Sequence, residues 1–353
     1  MKFSLFFLPC YRDGFSASQA AFYDEIVDTA VVADRLGWDK LWCSEHHFHY
    51  YGGAVPNPAM LLLACARATR QIRLGPAISL LPLNNPLRLA EDFLMLDQMS
   101  HGRLEMGLGR GFLQHEFGPF GVTDATNREK FNEAAEILRL AFTGEPFEFS
   151  GKHNRFGRLQ VLPGPHQTRI PMWVAGSRSR ETFEWAGSNG HGLMMNRYPL
   201  SDEAMGEQFR IYADSYARAG HDPERRPTMV SLMIHIAPTE QEAIEVGKSA
   251  LQEHMTMVKR LREGNIWYSD YLGDESVFGA GGDASVRDYI ANRTLIGTVD
   301  QVCERLERYR KMGFAEASFI VRFGAISAAQ SLRTLEVLEK QVRPHFDRQI
   351  MAA

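Results

Sequence analysis

An α/β chain closed into a (β/α)8 (TIM) barrel is the fold class that this sequence predicts. Three observations lead to it. One grammar recurs: an amphipathic helix stops at a glycine, a short polar link follows, and a compact apolar strand begins. Arg35-Leu36-Gly37-Trp38-Asp39 leading into Lys40-Leu41-Trp42-Cys43 is the first instance. Glycine ends a helix well because it takes the left-handed conformation without a Cβ penalty. The strand candidates are continuous apolar runs, the pattern of parallel strands covered by helices. Eight strand–helix units can be read, and eight right-handed crossovers favour closure over an open doubly wound sheet.

Taken in order, the first strand lies near residues 3–8. Its apolar run is short, follows the single basic residue Lys2, and has no small-residue cleavage site behind it, so it reads as a strand and not a leader. Phe22, Ile26, Ala30 and Ala33 then share one helical face. Strands follow near 39–44, 72–79 and 103–109, the last after the stop Met99-Ser100-His101-Gly102. Residues 144–165 carry Pro146, Gly151, Gly157, Pro163, Gly164 and Pro165 around short aromatic runs, which predicts a β-hairpin inserted before strand five. Strands five to seven lie near 171–175, 192–195 and 229–236. Residues 264–293 are long, glycine-rich and irregular, which predicts a lid-like insertion before the last βα unit. Strand eight, near 316–322, follows Lys311-Met312-Gly313-Phe314, and Leu335, Leu338, Val342 and Phe346 line the closing helix. No stretch reads as a linker, so residues 1–353 form a single expected domain.

Composition excludes several classes. Lysine and arginine number 39 against 43 aspartates and glutamates, a net charge of −4, so nothing favours a nucleic-acid partner. The apolar stretch Met60–Ala66 is far shorter than the roughly 18 residues of a membrane helix. The four cysteines, Cys10, Cys43, Cys65 and Cys303, form no CxxC pair, which suggests neither zinc nor a disulfide framework and fits a cytoplasmic location.

A barrel carries its chemistry at the C-terminal ends of its strands. After strand two comes Glu45-His46-His47-Phe48-His49. His47 and His49 point the same way on an extended segment and could share a metal ion, yet no third ligand is evident and no metal is expected. The histidines could equally be hydrogen-bonded structural groups, or one neutral imidazole could act as acid or base. After strand five, Gly176-Ser177-Arg178-Ser179 opens a helix. Its free N–H groups suit a phosphate, with Arg178 or Arg110 adding charge-assisted bonds. Ser179 could instead be a plain N-cap. Gly107-Leu108-Gly109-Arg110-Gly111 does not complete a dinucleotide GxGxxG, and neither a GxxxxGK[ST] loop nor a GxSxG elbow is present.

Further blocks occur in a telling order: Met1-Lys2-Phe3, the Glu45–Phe48 run, Leu81-Pro82 with Pro86 and Ala90-Glu91-Asp92, then Leu96-Asp97-Gln98-Met99-Ser100 with Gly102-Arg103. Arg110-Gly111, Val174-Ala175 with Ser177, Glu184-Trp185-Ala186 and Gly297-Thr298 complete the set. In these blocks the chain resembles the bacterial luciferase-like flavin-dependent monooxygenases over roughly residues 1–345. The resemblance implies reduced FMN, supplied by a separate flavin reductase, with O2 as co-substrate. One oxygen atom would pass to an apolar organic substrate through a flavin hydroperoxide. It makes His46 the catalytic residue and Arg110, Ser177, Arg178 and Ser179 the phosphate cradle, with Thr182 a weaker candidate. It also implies a non-proline cis peptide at Ala77-Ile78 within the cofactor site, a mobile lid within 264–293, and a possible homodimer. Phe6, Phe7, Leu8, Leu80, Phe112 and Met195 lie near strand ends and are candidates for the substrate wall.

The chain also departs from luciferase itself. Gly109 stands where luciferase has a reactive cysteine, Gly176 where it has a glutamate, and Glu116 where it has an aspartate. Light emission from a long-chain aldehyde is therefore not expected, while the wider oxygenase chemistry is. Two other functions remain open on the sequence: an F420-dependent hydride-transfer oxidoreductase on the same barrel, and a non-catalytic flavin-binding accessory protein.

Overall fold

The structure is a computed structural model that describes residues 1–11, 14–49, 51–197, 200–263 and 282–350. Its strands are β1 (Lys2–Phe7), β2 (Lys40–Cys43), β3 (Arg73–Pro76), β4 (Ser79–Leu80), β5 (Met106–Gly109), β6 (Phe147–Ser150), β7 (Arg155–Leu159), β8 (Met172–Gly176), β9 (Gly192–Asn196), β10 (Thr228–Ile236), β11 (Leu295–Gly297) and β12 (Glu316–Ile320). The parallel order is β3-β2-β1-β12-β10-β9-β8-β5-β4. The two ends of that list meet. Leu74 of β3 bridges Leu104, just before β5, and Ser79 and Leu80 of β4 pair with Leu108 and Gly109. The third predicted strand is thus present in two pieces, β3 and β4, separated by the cis peptide Ala77-Ile78 that the resemblance implied. The expected (β/α)8 barrel is what forms.

The inserted hairpin is also present, as antiparallel β6 and β7. One strand was not anticipated. β11 is three residues long, too short to show a period, and pairs with Ile234–Ile236 at the far end of β10. Most of the lid-like insertion expected at 264–293 lies outside the described residues; its last part is the helix Gly282–Arg293.

Local chemistry sets the helix starts. Asn57 and Asn85 cap the helices Pro58–Ala68 and Pro86–Met99, each with proline at the first helical position, where its missing N–H costs nothing. Thr298 and Gln301 form a capping box on the helix Val299–Met312. The faces predicted from periodicity, Phe22, Ile26, Ala30 and Ala33 and then Leu335, Leu338, Val342 and Phe346, are all buried against the outside of the barrel.

Inside, the barrel is filled from its N-terminal end. The carboxylate of Glu316 holds Lys40 in an ion pair and accepts from Ser4 Oγ at 2.6 Å and Trp42 Nε1 at 3.0 Å. Burial alone would pull the Lys40 ammonium down, but the Glu316 and Glu105 carboxylates outweigh it and its pKa ends above the usual lysine range. Above this polar layer Trp42, Trp173, Met194 and Met229 pack together, the two indoles edge to face at 5.5 Å. These side chains fill the lower barrel, and a cavity opens towards the C-terminal ends of its strands.

Candidate active site

That space is a cavity of about 640 Å³ at the barrel mouth. It is within the range of small-molecule and cofactor sites. Its walls divide by chemistry. Phe6, Leu8, Ile78, Leu80, Val174 and Met195 are apolar, while His46, Arg110, Arg128 and the turn Ser177–Ser179 are polar or charged.

The histidine cluster separates into different roles. His46 lines the cavity; His47 does not. His46 Nδ1 lies 3.1 Å from Oε1 of the fully buried Glu116, which also accepts the backbone N–H of His47 at 2.8 Å. A carboxylate at Nδ1 fixes the tautomer that carries its proton there and leaves Nε2 for chemistry. Tyr51 and Phe112 flank the imidazole, with ring centroids at 5.4 and 6.0 Å. Gly52 makes this packing possible. Its φ is +72°, and a Cβ there would stand 2.5 Å from His46 Cδ2. His47 Nε2 meets Glu45 Oε1 at 3.2 Å. Glu45 in turn accepts Leu80 N at 3.1 Å and Asn84 Nδ2 at 2.9 Å, tying the end of β2 to the segment after β4. His49 Nδ1 accepts the N–H of Tyr51. Thus His47 and His49, the pair considered for a metal, have separate structural tasks. His115 Nε2 faces the carbonyl of His47 at 3.1 Å, and burial pushes its pKa down despite the Glu116 carboxylate.

The opposite wall is cationic. Arg110 follows β5, where Asn127 Nδ2 holds its carbonyl at 2.9 Å. Its guanidinium is half-buried and makes no hydrogen bond or ion pair with the described residues. Burial and the neighbouring Arg128 lower its pKa, and Glu181 opposes them only in part. Arg128 reaches the site from the helix Asp124–Ala141; it donates to Ser179 Oγ at 3.1 Å and pairs with Glu181 at 2.7 Å. Ser179 stands at the N-cap of the helix Arg180–Ser188 but makes no side-chain capping bond, so the plain N-cap role is not the one it fills. Gly176 closes the turn from below, where a Cβ would come within 2.6 Å of the Phe183 ring. A half-buried guanidinium without a partner, a second beside it and a helix N-terminus together suit a phosphate monoester.

The residues that the resemblance assigns to catalysis and cofactor binding, His46, Arg110, Ala77, Ile78, Ser177, Arg178 and Ser179, all line this one cavity, whereas His47 and His49 do not. Five of the six candidates for the substrate wall line it as well. The exception is Phe7, which alternation turns outward into the core between barrel and helices. Sequence reasoning missed the contact between Glu116 and His46, and it missed Arg128. Arg128 carried a usable signal: with Phe131 and Asn132 it forms an i, i+3, i+4 set on the helical face that lines the cavity.

Comparison with known proteins gives the same answer by another route. The model of the luciferase-like monooxygenase family matches residues 1–316. The oxygenase component of the flavin-dependent trigonelline monooxygenase of Acinetobacter baylyi is 28% identical, covering 98% of this chain and 96% of its own. An uncharacterised protein of Sinorhizobium fredii, y4wF, is 39% identical over 169 residues, a match that spans about half the length of either protein. Among solved structures, the monooxygenase RslO1 of Streptomyces bottropensis superposes with a TM-score of 0.86 at 29% identity, covering 98% of this chain and all of that one. The oxygenating constituent of 3,6-diketocamphane monooxygenase of Pseudomonas putida, a type II Baeyer-Villiger monooxygenase solved with FMN, gives 0.80 at 25% identity and 98% of each chain. By sequence and by fold, this chain belongs to the luciferase-like monooxygenase family.

Proposed function

We propose that the protein is the oxygenase of a two-component system: it binds reduced FMN made by a separate flavin reductase and uses O2 to oxygenate a small organic substrate. The observation that carries this reading is the unpartnered guanidinium of Arg110, beside Arg128 and the Ser177–Ser179 turn, in the same cavity as His46. The FMN-bound relative and the flavin-dependent trigonelline oxygenase support the cofactor, and the words "oxygenase component" in the latter's name support a separate reductase.

When bound, reduced FMN supplies the electrons that activate dioxygen. The chain supplies everything else. Arg110, Arg128 and the N–H groups at Ser177–Ser179 would hold the phosphate of FMN. Ala77 and Ile78, joined by the cis peptide, line the same cavity and would form part of the surface the cofactor rests against. His46 donates or accepts a proton at Nε2 while Glu116 steadies Nδ1. The apolar wall excludes water, which strengthens each of these interactions. A cytoplasmic location is supported by four free, buried cysteines. Among the described residues no helix is long and apolar enough to cross a membrane.

Calorimetric titration of the purified protein with FMN, riboflavin and F420 tests the reading. FMN should bind at least tenfold more tightly than riboflavin, Arg110→Ala should erase that difference, and F420 should bind weakly. Equal affinity for FMN and riboflavin would remove the phosphate site from the account. Tight binding of F420 alone would replace oxygenation with hydride transfer.

A further inference from the structure

Two thioethers meet on the wall of the cavity. Met194 of β9 and Met229 of β10 are in-register partners on neighbouring parallel strands, and both line the cavity. They pack with Trp42 and Trp173 in one cluster. Met194 reaches across the barrel. A Cβ on Gly107 would stand 3.2 Å from its Cε, so the side chain extends from β9 past β8 to β5. Met195 lines the cavity too, but it belongs to the core between barrel and helices.

Methionine sulfur is readily oxidised to the sulfoxide, a polar group that spoils an apolar layer. Where the oxidant comes from decides which methionine it meets. Met60, on the outer helix Pro58–Ala68, is 72% exposed, whereas Met194 and Met229 are 4% and 1% exposed. An oxidant arriving from solvent meets Met60 first; one formed inside the cavity meets the buried pair first. The layer around the pair is also poorly suited to a new oxygen. The indole N–H of Trp42 already donates to Glu316, and that of Trp173 to Glu105. A sulfoxide oxygen would gain no donor from either ring, which makes its burial costly.

We propose that Met194 and Met229 are an oxidative modification site, converted to sulfoxides by hydrogen peroxide released within the cavity during turnover without organic substrate. The assignment rests on the oxygenase reading above. In such turnover O2 takes two electrons and two protons from reduced FMN and leaves as hydrogen peroxide. A methionine sulfur then attacks one peroxide oxygen. The O–O bond breaks, an S–O bond forms, and the second oxygen departs as water with both protons. The sulfur loses the two electrons that the peroxide gains. The sulfoxide disturbs the layer shared with Trp42 and Trp173, so an oxygenase starved of substrate loses its hold on the cofactor.

The test turns over FMN-loaded protein in air, with NADH and a flavin reductase, without organic substrate, and with catalase to destroy peroxide that reaches the solvent. Peptide mass spectrometry then gives the sulfoxide fraction at each methionine. Sulfoxide at Met194 and Met229 should exceed that at Met60 at least fivefold, whereas hydrogen peroxide added to FMN-free protein should reverse the order. The turned-over wild type should lose at least threefold in FMN affinity by calorimetry. The double variant Met194→Leu with Met229→Leu should keep its own affinity within twofold through the same treatment. The proposal is overturned if both residues remain thioethers while oxygen is consumed, or if Met60 is oxidised as much as they are. It is equally overturned if the double variant loses affinity as the wild type does, which would place the damage elsewhere. Wild-type protein that takes up no FMN at the outset would instead defeat the oxygenase reading, and this assignment with it.

Discussion

Glu116 shows how much one buried side chain can decide. Its Oε1 receives His46 Nδ1 and the backbone N–H of His47, so a single oxygen sets both the imidazole's tautomer and the path of the chain beneath it. Replacing it with glutamine keeps the size and removes the charge. The amide can still accept through its oxygen, so the fold should persist. It can no longer stabilise a protonated His46, and a flipped amide would favour the wrong tautomer. Glu116→Gln should therefore lower kcat by about tenfold to a hundredfold while changing KM for the organic substrate little, and it should displace the acidic limb of the kcat–pH profile. His46→Ala should cost more, on the order of 10²–10⁴ in kcat. Neither change should affect FMN affinity, because both residues stand apart from the phosphate cradle. An unchanged pH profile in Glu116→Gln would mean that Glu116 serves the backbone alone.

At the scale of elements, the block that most clearly marks the family does structural work. Arg103 donates to Ala66 O, Ile72 O, Ser100 O and Thr69, and so joins two helices to the strands they flank. Asp97 accepts His166 N at 2.7 Å and Gln167 N at 3.1 Å, fixing the segment that leads into β8. These residues were legible as a motif, but their role was not, because their partners lie up to 70 positions away. The same limit explains what the sequence revealed of the rest. Strands were readable wherever a glycine stop precedes an apolar run. His46, Arg110 and the Ser177–Ser179 turn were readable because a barrel puts its chemistry at strand ends. The contact of Glu116 with His46 was not, since it joins residues 70 positions apart and depends on the register of closure; Arg128 showed only in the i, i+3, i+4 spacing of its helix face. The glycines of β5 test that closure directly. A Cβ on Gly107 would lie 2.1 Å from the backbone oxygen of Pro76, whereas one on Gly109 would meet Ile78 Cδ1, the end of a flexible side chain. Gly107→Ala should thus force β3 from β5 and cost about 3 kcal/mol or more, while Gly109→Ala should cost about 1 kcal/mol through a new Ile78 rotamer. Urea unfolding of the two variants gives the comparison, and equal losses would show that strand separation does not control the barrel's tolerance.

For the whole molecule, acid stability is set by imidazoles that have been taken out of water. His254 is fully buried, and burial pushes its pKa down to about 4. His191 reaches about 4 as well, by burial first and then by the charges of Arg169 and His221. In the unfolded chain both would titrate near 6.5. The folded pKa is the lower one, so unfolding takes up protons, and the stabilising contribution is complete above pH 6.5 and fades as pH falls towards 4. From pH 7 to pH 5 each histidine should cost about 2 kcal/mol, about 4 kcal/mol together, against a typical total of roughly 5–15 kcal/mol. Lys40 acts on the other side, where its pKa is raised, so its contribution is intact below 10.5 and is lost only in stronger base. Stability should therefore drop well before the carboxylates titrate, and above about pH 8.5 it should fall again, because the thiols of the unfolded chain ionise there while burial holds Cys10 and Cys65 up at about 12. Urea midpoints at pH 9, 7, 6 and 5 measure this. His191→Gln, which cannot titrate, should remove about half of the loss between pH 7 and 5 even if it lowers stability at pH 7. A midpoint that stays level down to pH 5 in the wild type would mean that both rings find water, or a proton-accepting partner, on protonation.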